Sequence, residues 1–117
     1  MECKIKNDIG TIFITEDVML KVAGHAAMEC YGIVAMSRKR AKDGIVEWLG
    51  RESLSKGVQL KLLDDTLDVD LFIIVEYGIS ISEVCKTIVN TVRYKLESMT
   101  GITVRRVNIS IEGIRIN

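Results

Sequence analysis

His25, the single histidine of the chain, stands four residues before Glu29. On a helix that spacing sets an imidazole beside a carboxylate, the start of a general base or a metal site. Lys21 falls on the same face, and a row of polar side chains at this spacing is equally the ordinary solvated surface of a helix. A zinc centre would need more ligands, and the chain has neither a second histidine nor a cysteine pair at ligand spacing. Its three cysteines, Cys3, Cys30 and Cys85, are widely separated. Cys30 and Cys85 fall on apolar helical stripes, where cysteine packs as a small hydrophobe. Cys85 lies in the first turns of its helix, so a thiol nucleophile activated by the helix N-terminus is the competing reading there. Cys3 is expected to be a mobile terminal thiol.

Phosphate chemistry finds no support in the glycines. Neither G-x-G-x-x-G nor G-x-x-x-x-G-K occurs, and no two glycines stand three residues apart as a GXXG clamp requires. With two phenylalanines and no RNP-like string, an RNA-stacking sheet is also disfavoured. The residues therefore point away from an enzyme, a metal protein or a cofactor protein, and towards a protein that binds other macromolecules or itself.

The elements that must carry these side chains follow from periodicity. The chain has 117 residues, enough for one domain with a real core. It is 48% hydrophobic and 27% charged, with sixteen acids balancing sixteen bases. That balance argues against a nucleic-acid wrapper. The N-terminus mixes charges without an apolar core, and Leu71 to Val75 is the longest unbroken aliphatic and aromatic run, far too short for a bilayer. A cytoplasmic location without membrane insertion is the expectation, and the unpaired cysteines agree with it.

Gly10 to Ile14 is β-branched and predicts a first strand; Thr15 then caps a helix whose first turn carries Glu16 and Asp17. Val18, Met19, Val22, Ala23, Ala26 and Cys30 share one face of that helix, and its alanines allow close approach to a sheet. Gly24 inside it suggests a close backbone contact. Tyr31 to Ser37 returns to a strand pattern, and Ile45 to Leu49 predicts a helical turn or two in a long connection. Val58 to Leu63 and Leu67 to Tyr77 form a hairpin around Asp64-Asp65. Pairing Leu63 with Thr66 places Lys61 opposite Asp68 and puts Leu62/Leu67, Leu60/Val69 and Val58/Leu71 together on the other face. Ser80-x-x-Glu83 is a capping box for the best helix, striped by Ile81, Val84, Cys85, Ile88, Val92, Leu96 and Met99 and ended by Gly101. Ile102 to Ile116 is a last strand whose alternation slips at Arg105-Arg106 and at Glu112-Gly113, so a bulge is expected at one of them. The order β-α-(loop)-β-β-α-β describes an α+β fold with two helices on one face of a small mixed sheet.

Two features remain as a candidate interaction surface. Phe72 and Ile74 share a strand face with Asp68, Asp70 and Glu76, either under the long connection or open to a partner. Arg38, Lys39, Arg40 and Lys42, followed by Trp48 and Arg51, make either a solvated loop or a contact for an acidic partner or an anionic membrane surface. The same basic loop, with Arg93, Arg105 and Arg106, is what an RNA-associated module would use.

The strings VAGHAAMECYGIVAM, DGIVEWLGRESLSKGV and DLFIIVEYGISISEVCKTIVNTVRYKLESMTGITVRRVNISIEGI resemble the alkaline-shock-protein family, the envelope stress response family of Gram-positive bacteria. Three separated motifs agree in order, from about Gly10 to Gly113, and the segment Gly44 to Val58 looks like the short, housekeeping-type members. The resemblance implies a non-enzymatic scaffold or adaptor linked to envelope homeostasis. Its partners would be itself, as a dimer or larger, and other proteins, including a membrane-anchored one. It implies no cofactor and no catalytic residues.

Overall fold

A computed structural model describes residues 2–37, 48–49 and 51–116, the side chains of 2, 48, 49 and 51–53 excepted. The chain opens with strand β1 (Glu2–Asn7), turned back by Asn7 into strand β2 (Gly10–Thr15). The Asn7 carboxamide oxygen accepts from the backbone N–H groups of Ile9 and Gly10 at 2.9 and 3.0 Å, an Asx turn that closes the hairpin. β1 is not among the strands expected from the sequence; it is a short strand in which Cys3 and Ile5 alternate with Lys4 and Lys6. Cys3 on β1 is 4% exposed, beside the Met19 sulfur at 3.4 Å, so the expected mobile terminal thiol is a core residue.

Helix α1 (Glu16–Met28) starts at Thr15, whose hydroxyl accepts from the Val18 N–H at 3.4 Å. Met19, Ala23, Ala26 and Ala27 are buried, whereas Val18 points outward. Gly24 is where the close approach occurs: a Cβ there would sit 3.1 Å from the Leu54 Cβ and 3.2 Å from its carbonyl oxygen. Leu54 belongs to a 3-10 segment, Arg51–Gly57, which packs on α1.

Strand β3 (Ile33–Ser37) follows α1. Trp48–Leu49 pair with Met36 and Ser37 as a short strand, β4, so at these two residues the expected helical turn gives way to extended pairing; Ile45 lies outside the described residues. Strands β5 (Val58–Leu63) and β6 (Thr66–Glu76) form the expected hairpin in the expected register, from Leu63 opposite Thr66 through Lys61 opposite Asp68 to Val58 opposite Leu71. Helix α2 (Ile81–Thr100) then crosses over to strand β7 (Thr103–Arg115), which runs parallel to β6. Gly101 ends α2 in the left-handed region at φ 75°, and its N–H donates to the Glu97 carbonyl at 2.9 Å. Both expected slip points on β7 are bulges: Val104 and Arg106 face successive β6 residues, as do Ile111 and Gly113, leaving Arg105 and Glu112 extra.

β6 is the centre of the sheet. β5 pairs with its first half and β3 with its second, so both occupy one edge, and β7 takes the whole of the other. Leu67, Val69, Leu71, Ile73 and Val75 of β6 face α1 and α2, where Met19, Ile88, Val92 and Leu96 complete the core. This is the expected α+β arrangement, with the β1–β2 hairpin added as a second, two-stranded sheet.

Candidate interaction surface

His25 is exposed on α1, and Lys21 beside it is ion-paired back to Asp17 at 2.9 Å. With Val22, Ala26, Lys95 and Met99 they border an open groove of about 240 Å³ between the helices. Among the described residues, no three or more histidine, cysteine or acidic side chains come together as a metal site. Burial pushes the Cys85 thiol above its usual pKa, and burial followed by the charge of Asp65 does the same to Cys3. Cys30 is buried, with its sulfur donating to the Ala26 carbonyl at 3.6 Å.

The candidate surface divides. Arg38, Lys39, Arg40 and Lys42 lie outside the described residues, as do the side chains of Trp48 and Arg51. On β6, Ile74 is fully buried opposite Ala35 and Gly113; most of the long connection expected over it lies outside the described residues. Phe72 is half-buried. It sits in a ladder of polar pairs that the parallel β6–β7 register creates on the face away from the helices. Asp68 accepts from both Nε and an Nη of Arg105, the first at 2.9 Å; Asp70 accepts from Asn108 at 2.9 Å; Glu76 accepts from Arg115 at 2.9 Å. The Arg105 hydrogen bond holds the Asp68 carboxyl below its usual pKa, with the charges of Arg105, Arg106 and Lys61 adding to it. Arg105 is thus exposed but paired within the chain, and Arg93 donates to the Arg105 carbonyl at 3.3 Å. Sequence reasoning missed this ladder because the extra residue at Arg105 shifts the phase of β7 by one.

Among the described residues, three further apolar regions are open to contact. Ile9, Ile12 and Phe13 project from the β1–β2 hairpin, Ile9 at 96% exposure. Tyr31 and Tyr77 flank an open groove of about 680 Å³ with Ile79, Glu83 and Val84. The third is the outer edge of β7, where Val107, Ile109 and Ile111 face the helix side of the sheet yet are only half-buried. Periodicity reports which face a residue takes and not whether that face is fully covered. Among the described residues no helix is long and apolar enough to cross a membrane.

Residues 4–116 match the family model of the alkaline shock protein 23 family, described as having a cell envelope-related function. The chain is 39% identical over 117 residues to the uncharacterized protein YloU of Bacillus subtilis, covering 99% of this chain and 98% of that one. It is 38% identical over 117 residues to the uncharacterized protein Spy1614 of Streptococcus pyogenes, covering 99% and 97%. A second Bacillus subtilis protein, the uncharacterized YqhY, is 34% identical over 92% of this chain and 78% of its own. No solved structure matches.

Proposed function

Because the chain belongs to the alkaline shock protein 23 family, whose function is related to the cell envelope, we propose that it is a cytoplasmic scaffold or adaptor without catalytic activity, acting through self-association and protein binding. The observation that carries this reading is the half-covered apolar edge of β7, which a further chain would finish burying. The exposed Ile9, Ile12 and Phe13 of the hairpin and the tyrosines Tyr31 and Tyr77 supply additional contact surfaces for other proteins, including one anchored in the membrane. The raised pKa of Cys85 supports the non-catalytic side of the reading, since a neutral thiol is a poor nucleophile.

Light scattering across a hundredfold range of protein concentration tests the self-association. A weight-average mass that rises from the 13.1 kDa of one chain towards a dimer or beyond is the expected result. A mass that stays at one chain throughout would reject self-association and leave only the adaptor.

A further inference from the structure

We propose that β7 is the docking edge for a second copy of this chain, paired antiparallel about a twofold axis at Ile109, so that one sheet runs through both protomers. The inference rests on the self-association reading above and adds the strand, the register and the symmetry.

The edge is open where it matters. β6 is paired on both sides, whereas β7 pairs with β6 alone among the described residues. At its start, α2 side chains satisfy the backbone: Glu97 accepts from the Val104 N–H at 2.9 Å, and Arg93 donates to the Arg105 carbonyl. From residue 106 to 111 no described side chain takes over that task. Every non-proline residue carries a donor and an acceptor, and in a strand alternate residues turn both outward. Residues 106–111 lie between the Arg105 and Glu112 bulges as regular strand able to pair, and Glu112, the bulge residue that closes the stretch, keeps its carboxylate beside the Ser110 hydroxyl.

Its flank is incompletely buried. Leu67, Val69, Leu71 and Ile73 on neighbouring β6 are at 0% exposure, while Val107, Ile109 and Ile111 are half-buried. Cys85 and Val89, in the same i, i+4 row of α2 as the capping residues Arg93 and Glu97, are half-buried too.

The sequence of the edge is complementary to itself in one antiparallel register. With Ile109 opposite Ile109, Val107 meets Ile111 on the helix side, and Asn108 meets Ser110 and Arg106 meets Glu112 on the far side. A step of one pair in either direction breaks the match: centring on Asn108 sets Arg106 against Ser110, and centring on Ser110 sets it against Ile114. Odd-numbered slips would set an apolar residue opposite a polar one and turn one protomer over. Arg106 is available for the role, its charge acting on Asp68 without a direct bond. It is exposed and forms no hydrogen bond or ion pair with a described residue, since Arg105 has taken Asp68. Among the described residues, Glu112 accepts only the Ser110 hydroxyl, at 2.8 Å.

The test uses the full chain and sedimentation equilibrium. Arg106→Glu and Glu112→Arg each place two like-charged pairs across the twofold, and each alone should raise the dimer Kd by roughly tenfold or more. An equimolar mixture of the two variants should recover wild-type association, because both cross-strand pairs in the mixed dimer are then of opposite sign. Circular dichroism checks that each variant is folded. As a second readout, Ile109→Cys in a Cys85→Ser background should cross-link to a dimer on mild oxidation, since that position faces itself. Val107→Cys, which faces Ile111, should not. A wild-type dimer with no recovery in the mixture and no cross-link at position 109 would overturn the β7 register while leaving self-association intact. A wild-type monomer at all concentrations would overturn both.

Discussion

The Asp68 carboxylate ties β6 to β7. It lies opposite Lys61 on β5 and accepts two hydrogen bonds from Arg105 on β7. Because these contacts favour the ionised form, its folded pKa lies below the unfolded value. Its contribution to stability is therefore complete above the unfolded carboxylate pKa of about 4 and is lost as the pH falls through the folded value. Asp68→Asn should lower the urea midpoint at neutral pH, and the gap from wild type should close in acid. A gap that persists unchanged to about pH 2, well below the ordinary aspartate value, would assign the effect to packing instead of charge. The Lys61 half of this site was readable from hairpin register alone. The Arg105 half was not, since a parallel partner beyond a bulge leaves no periodic trace along the chain.

At the scale of elements, the β5–β6 hairpin turns through two residues that both hold positive φ, Asp64 at 46° and Asp65 at 65°. That is the primed turn whose twist matches paired strands, and aspartate tolerates it at a cost that glycine avoids. Asp65→Gly should stabilise the protein by about 0.5–1 kcal/mol, raising the thermal midpoint by a few degrees. A lower midpoint would mean that the Asp65 side chain has a role outside the turn. The helix starts behave differently from each other. Thr15 makes its capping bond, whereas Ser80 occupies the N-cap of α2 without a side-chain bond, so the Ser-x-x-Glu pattern marked where the helix begins although the capping box does not form.

For the whole molecule, measuring 55 × 28 × 23 Å, stability is distributed outward from β6. Its amides lie between two neighbouring strands and beneath two helices, so they should be the last to exchange with deuterium. The hairpin carrying Ile9 should exchange early. The outward-facing amides between residues 106 and 111 should exchange rapidly in dilute protein and slow as concentration rises. If their exchange is independent of concentration while the mass grows, association uses another of the apolar surfaces.

The sequence by itself determined the helices, the β5–β6 register and the two irregular points on β7, because period, charge pairing and turn chemistry are local and act within a few residues. It placed Phe72 and Ile74 on one strand face but left open whether they are covered. Only the tertiary structure decided that Ile74 is buried, that Cys3 is core, and that Arg105 closes on Asp68. It also decided that β7, among the described residues, pairs with β6 alone. The physical reason is the same in each case: burial and edge exposure depend on which strands lie side by side, and neighbours brought together by a crossover of more than twenty residues, from Glu76 to Thr103, leave no mark on local periodicity.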